Sequence, residues 1–287
     1  MSMPVGVLDI GSNTIRLLVA RVDRGSVTPL DGGRVRLPLG EEIEREGRLS
    51  DMSIAAAAKA VRKLCAVARN HGVVSLDVFL TAPGRQSANA DALVEALERA
   101  AKHPVRVLTT DEEGRLAYAG AIATADVPID GTVAVCDVGG ASTEIAVGST
   151  FRVPDWVESV DLGSVRLAAR ASDLAEARRE AAEAFEDVVP PRVDVALAVG
   201  GSARAVRRLV GPWLGDTELT EALRILDTTA PRDVSRRFGV DRSRARILPS
   251  GAAILAQVHM LLDAPLHVCS GGIREGAVLA TAAAAAA

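Results

Sequence analysis

Two stretches decide the fold: VGVLDIGSNTIRLLVA at residues 5–20 and VAVCDVGGASTEIAVG at 133–148. They align at an offset of 128 residues, which sets Asp9 on Asp137. Each reads as an apolar run, Asp-x-Gly, a small polar turn and a second apolar run. That pattern predicts a hairpin of two buried strands. The pattern opens each half of the chain, and further Gly-Gly turns stand at 200–201 and 271–272. Together these predict a duplicated α/β domain with a cleft between the copies. The boundary is expected near residue 125, dividing the chain into 1–125 and 126–287.

Outward from the first hairpin, the pattern predicts a strand at 34–39. A helix capped by Ser50-Asp51 runs to about residue 70, and a strand at 76–80 runs into a loop at 81–85. A helix at 91–101, a strand at 105–108 and a helix from Thr110 to about residue 123 complete the half. In the second half a charged helix is expected at 173–187. A strand at 193–199 ends in Gly200-Gly201-Ser202 and feeds an arginine-rich helix. Helices follow near 218–225, 232–238 and 251–262, then a strand at 267–269 and a terminal alanine-rich helix.

Composition narrows the function. Hydrophobic residues make up 48% and charged residues 24%, the range of a globular chain. Aromatics are only 2%, so the core is aliphatic. The net charge of −4 argues against binding nucleic acid or a membrane surface through bulk charge. Of 33 basic residues only Lys59, Lys63 and Lys102 are lysine; the arginines supply a side chain that grips phosphate with two parallel hydrogen bonds. Cys65, Cys136 and Cys269 are far apart in apolar runs and read as buried free thiols in a reducing compartment. The four histidines form no ligand pair and read as structural or surface groups, which argues against zinc. The start has no basic leader, and no run approaches the ~18–20 uncharged apolar residues of a membrane span, so a cytoplasmic location is expected.

The chemistry is expected in the turns. Small residues let a phosphate approach, and successive backbone N–H groups then bind its oxygens. If the halves face each other, Asp9 and Asp137 converge on one Mg²⁺, a hard cation that prefers oxygen, and Glu144 can join them. Glu113 has two readings. With Thr110 it fits a capping box, or it is a general base that deprotonates water for attack on phosphorus. Arg85 follows a strand, where it is either a solvated loop residue or a phosphate ligand. The Gly200–Arg204 turn opens a helix whose N–H groups and dipole suit an anion. The five arginines of 236–246 read as a solvated face or a track for a polyanion.

At this point the sequence resembles the Ppx/GppA phosphatases, a branch of the actin-like, sugar-kinase and Hsp70 superfamily. The resemblance rests on DIGSNTIRLLV at 9–19, VRLPLGEEIEREGRLS at 35–50, Thr81-x-x-x-Arg85, DEEGRLAYAGA at 111–121 and DVGGASTE at 137–144. It continues through LAVGGSARA at 197–205, ILPSGAAIL at 247–255 and SGGIREGAVL at 270–279. It implies two actin-like, ribonuclease H-like domains around a central cleft. It also implies Mg²⁺-dependent hydrolysis of a terminal phosphoanhydride, with a monovalent cation such as K⁺ and a homodimer also allowed. Glu113 then matches the glutamate that activates water. Asp137 and Glu144, with Asp9, match the carboxylates that organise the metal. Ser12, Asn13, Thr14, Arg85, Gly139, Gly140, Ala141, Ser142, Gly200, Gly201 and Ser202 fall on phosphate contacts. The expected substrate is short inorganic polyphosphate, with guanosine pentaphosphate as the alternative. A binding or sensing protein with weakened catalysis is the non-enzymatic alternative.

Two departures bear on activity. The family's Gly-Gly-Gly-Ser turn here carries Ala141, which strains the turn if that position needs φ > 0. The Arg85 segment reads Ala-Pro-Gly-Arg-Gln where Ser-Ala-Val-Arg-Asp is usual. The chain also ends without the helical extension of longer members, from which short substrates are expected.

Overall fold

The computed structural model describes residues 3–150 and 153–286. The first sheet has the order β3-β2-β1-β4-β5, built from β1 (Val5–Ile10), β2 (Thr14–Asp23), β3 (Ser26–Arg36), β4 (Ser75–Leu80) and β5 (Arg106–Val107). The second has the order β10-β11-β9-β6-β7-β8. It comprises β6 (Thr132–Val138), β7 (Thr143–Ser149), β8 (Trp156–Val160), β9 (Val195–Val199), β10 (Trp213–Leu214) and β11 (Leu266–Val268). In both, the hairpin is antiparallel and its first strand continues into a parallel neighbour, β4 or β9.

Helices cover both faces of each sheet, so the inner strands are apolar almost throughout. On β1, Leu8 and Ile10 pack toward α2 (Asp51–Asn70) and α4 (Ala90–Ala101), while Val5 and Val7 pack toward the C-terminal helix. Between α2 and β3 lies α1 (Leu39–Glu46), and after β4 comes the short α3 (Ala82–Gln86). Then α5 (Thr110–Thr124) leads to the second half. That half holds α6 (Ser164–Arg170), α7 (Leu174–Ala184), α8 (Gly200–Val210), α9 (Asp216–Thr228), α10 (Pro231–Phe238), α11 (Arg242–Leu262) and α12 (Ile273–Ala286).

The sheets lie on either side of residue 125, but α5 and α12 are exchanged between them. From the end of the first sheet, α5 packs its Ala117, Tyr118 and Ala121 on Val133, Val135 and Ala146 of the second. From the end of the second, α12 packs Ala277 and Val278 on Val5, Val7 and Leu18 of the first. The two helices cross with their backbones in contact. A Cβ at Gly120 would run into Gly272 O, and one at Gly276 into Leu116 O.

Several expectations change. The strand expected at 34–39 is Ser26–Arg36, an exposed edge without apolar alternation, and Leu39 instead begins α1. The loop at 81–85 is a helical turn with Pro83 in its first turn. The helix expected at 251–262 starts at Arg242 and runs through Pro249. Its apolar length is enough to cross a membrane by composition alone, contrary to the reading that no run approaches a span. It is, however, the core helix of the second half, with Leu248, Ala252, Ile254, Leu255 and Val258 buried. The elements β8, β10, α1 and α6 were not anticipated.

Candidate active site

The cleft opens at the carboxyl ends of the parallel strands of both sheets, where α/β folds bind ligands. Ser12, Asn13 and Thr14 line one side. Gly139, Gly140, Ala141 and Ser142 line the other, with Gly200 and Gly201 beside them. The two hairpin turns touch: a Cβ at Gly140 would stand 3.0 Å from Ser12 Cβ. At Gly200 φ is +88°, and a Cβ there would collide with Asp137 Oδ1, so glycine is required on both counts. Ala141 has no left-handed backbone; among the described non-glycine residues only Arg24, Lys102 and Asp263 have positive φ. The strain expected of alanine in this turn is therefore absent. Ser202 does not reach the cleft. It is fully buried, with its Oγ against the site of Gly251 on α11 and without a hydrogen-bond partner.

Five carboxylates line the cleft: Asp9, Asp137, Glu144, Glu113 and Glu275. Burial pushes Asp9 up to about 6 against the pull of Arg274 and Arg16. Burial likewise raises Asp137, and it pushes Glu144 up to about 7, although Ser159 Oγ donates to Glu144 Oε1 at 3.0 Å. The hairpins place these groups by register, because Asp9 pairs with Arg16 across β1–β2 and Asp137 with Glu144 across β6–β7. Among the described residues no three acidic, histidine or cysteine side chains lie close enough to form a metal cage. Asp9, Asp137 and Glu144 thus share one cavity without forming a closed cage.

The structure separates the two readings of Glu113. The cap of α5 is Thr109, not Thr110. Its Oγ1 accepts from Glu112 N at 3.1 Å, and Glu112 Oε2 accepts from Thr109 N at 2.8 Å. The capping box therefore uses Glu112, and the next side chain is left to point inward. Glu113 is buried, and burial and then Glu144 hold its carboxyl well above the usual carboxylate range. Arg85 pulls the other way through a direct ion pair with Glu113. Arg85 also donates to Leu108 O at 2.5 Å, while its Nη2 is buried without a partner. Arg85 thus stands on the base from behind and does not itself line the cleft.

The cleft also gathers arginines: Arg204 from the turn expected to bind an anion, Arg244 from the run read as a solvated face or a polyanion track, and Arg16, which the sequence reading left unassigned. Arg16, Arg204 and Arg244 line the cleft and are largely buried. Burial lowers all three, Arg16 and Arg244 to about 10. Their hydrogen bonds are few and long: Arg204 to Ser270 O at 3.3 Å, Arg244 to Ser164 Oγ at 3.4 Å, and Arg16 Nε unpartnered. Asp9 acts on Arg16, Asp137 and Glu275 on Arg204, and Asp241 on Arg244, but among the described residues none of the three makes a direct ion pair, which leaves N–H groups open to an anion. Arg244 comes from the run at 236–246, whose other arginines are exposed. The same three side chains open onto a second chamber of about 430 Å³ that adds Arg34, Arg36 and Arg208. Thr81, Arg274 and Glu275 complete the cleft. The signal for Arg16 was available, since it occupies the hairpin position equivalent to Glu144.

The Ppx/GppA phosphatase family model matches residues 18–209. The chain belongs to this family. It is 26% identical to Exopolyphosphatase 1 of Mycobacterium bovis, over 96% of this chain and 88% of that protein. It is 27% identical to the guanosine-5'-triphosphate,3'-diphosphate pyrophosphatase of Pseudoalteromonas atlantica, over 94% of this chain but only 57% of that one. The fold matches an exopolyphosphatase from Cytophaga hutchinsonii with a TM-score of 0.87 at 19% identity, over 98% of both chains. It also matches an Aquifex aeolicus Ppx/GppA enzyme with a TM-score of 0.82 at 24% identity, over 97% of this chain and 99% of that one. The expected duplicated actin-like α/β fold is thereby established for this family member.

Proposed function

We propose that the protein is an exopolyphosphatase that removes the terminal phosphate of short linear polyphosphate. One observation carries the reading: part-buried guanidiniums without direct ion pairs and two turns of small residues line the same cleft as a buried glutamate that no cap consumes. The Ser12–Thr14 and Gly139–Ser142 turns hold the terminal phosphoryl, and Arg16, Arg204 and Arg244 neutralise the phosphates behind it. Glu113 takes a proton from water as its oxygen attacks the terminal phosphorus. The P–O–P bond breaks, releasing orthophosphate and a chain one unit shorter. A glutamate raised toward neutrality by burial is a stronger base than an exposed one. Arg85 orients it and keeps the ionised form accessible.

The donor set fits Mg²⁺. Asp9, Asp137 and Glu144 offer only carboxylate oxygens, burial disfavours their ionised forms until a cation joins them, and the lack of a closed cage suits an ion that keeps waters and shares substrate oxygens. When bound, Mg²⁺ would neutralise charge on the reacting phosphoryl group. The second chamber favours polyphosphate over guanosine pentaphosphate. Arginines dominate it, Ala205 and Val240 are its apolar members, and no ring is present to stack a purine. The weakened-sensor reading loses its reason at Ala141, whose backbone is unstrained. Orthophosphate release is measured with Mg²⁺ on tri- to decaphosphate and on guanosine pentaphosphate. Faster release from polyphosphate is expected; release from neither, with folded protein, overturns the reading.

A further inference from the structure

We infer that Arg166 and Glu44 form a buried brace across the cleft mouth that sets the spacing of the two phosphate turns; the inference rests on the proposed function for its ligand. Each turn is backed by its own helix. Behind the first, Gly40 N of α1 donates to Ser12 O at 2.7 Å, and Leu37 N donates to Asn13 O at 3.2 Å. Behind the second, Ser164 N of α6 donates to Gly139 O at 3.0 Å, and Val165 N and Arg166 N donate to Gly140 O at 2.8 and 3.1 Å. Moving either helix therefore moves its turn.

The helices belong to different halves. Leu39 and Ile43 anchor α1 in the core of the first half, and Leu167 anchors α6 in the core of the second. Arg166 joins them, donating from Nε to Glu44 Oε1 at 2.5 Å. The side chains are 7% and 16% exposed, so water screens the pair little. Arg166 also pairs with Asp161 and donates to its carbonyl at 3.0 Å. Asp161 in turn accepts from Gln86 Nε2 at 3.0 Å, in the residue after Arg85. The network thus ties both turns and the helix carrying the partner of Glu113 into one frame. Where the two halves meet at the second chamber, Arg36 and Asp241 lie 3.6 Å apart with both groups about half exposed, a weaker link than the buried pair.

Arg166 and Glu44 are positioning residues. They line neither chamber, so they act through the turns they hold. Loosening the brace lowers the fraction of molecules with the turns at binding distance. Apparent affinity falls by that fraction, while the rate from the closed complex is unchanged.

The test is Glu44→Gln, which keeps shape and removes charge, with Glu44→Asp as the charge-keeping control. Glu44→Gln is expected to weaken inorganic tripolyphosphate binding and raise KM together, by about tenfold, with kcat within about twofold. Glu44→Asp should recover most of the loss. Spin labels on Met52→Cys and Met260→Cys, both exposed positions on opposite halves, report the spacing; the native cysteines are buried. The distance distribution should broaden in Glu44→Gln without ligand and narrow with saturating tripolyphosphate. Unchanged affinity and unchanged distances, with only a lower Tm, would overturn the brace. If the wild type neither binds nor cleaves tripolyphosphate, the proposed function fails, and the ligand-free distances still decide the brace.

Discussion

The two copies of the hairpin differ most at one register position. Opposite Asp9 stands Arg16, and opposite Asp137 stands Glu144. The backbones repeat, but the first copy carries its own counter-cation and the second doubles its negative charge. The exchanged helices repeat the contrast. Glu113 enters the cleft on α5 and Glu275 on α12, each followed by a glycine. Glu275 Oε2 accepts from Gly272 N at 2.8 Å, so it caps its own helix. Glu113 is spared that task because Glu112 caps α5. A duplicated scaffold thus places in one cleft a hairpin with a carboxylate and its counter-cation and a hairpin with two carboxylates, beside a glutamate that no cap consumes.

The sharpest break of this contrast is Glu113→Gln. It keeps shape and hydrogen bonding among the carboxylates but cannot take a proton. Turnover of polyphosphate should fall by about 10²–10⁴-fold with tripolyphosphate binding retained. Single-turnover kinetics alongside calorimetry measures both; a parallel loss of binding would assign Glu113 to the ligand and not to the water.

At the register position itself, Arg16→Met keeps the apolar stem and removes the charge. A hydrogen bond to a charged group is worth about 1.5–3 kcal/mol, so affinity for polyphosphate should drop by roughly 10- to 100-fold. The loss should fall mainly on KM. A loss confined to kcat would place Arg16 on the reacting phosphoryl and not behind it.

The buried carboxylates of the two hairpins also predict a pH effect in the ligand-free protein. Asp9 rises from 3.8 to about 6 and Glu144 from 4.5 to about 7, both through burial. Protonated forms are favoured in the folded state, so their stabilisation is complete below about pH 4 and is lost as the pH climbs through 6 and 7. For Asp9 alone this is on the order of 3 kcal/mol. Thermal melts from pH 4 to 8 should show the decline, and Glu144→Gln should make it shallower. An unchanged slope in that variant would remove Glu144 from the buried charge.

Much of this was legible because repetition is a sequence property. The two Asp-x-Gly turns predicted the hairpins, the duplication and the cleft. What stayed hidden depended on partners distant in the chain. Glu113 could not be told from a capping residue until the start of α5 moved back by one, to Thr109. Arg244 looked like its neighbours in an exposed run because helical phase alone turns it inward. The edge strand β3, with Pro29 and two glycines, has no alternation to read, and α1 shows only Leu39 and Ile43. Ser202 sits in a turn that faces the ligand, yet the first turn of α8 rotates its side chain into the core.

The smallest effect concerns the one substitution within the repeated turn itself. If Ala141 occupied a left-handed position, Ala141→Gly would relieve strain, stabilise the fold and raise activity. Its φ is not positive, its methyl is buried, and Gly139 and Gly140 already make the close approaches. Glycine there adds freedom to the unfolded chain, which costs about 0.4–1 kcal/mol, and gives up a buried methyl group worth about 0.8 kcal/mol. Ala141→Gly should therefore lower Tm by about 1–3 °C and leave the rate within about threefold. A tenfold gain in rate would mean that the methyl group crowds the phosphate, and the two turns would then differ in shape as well as in charge.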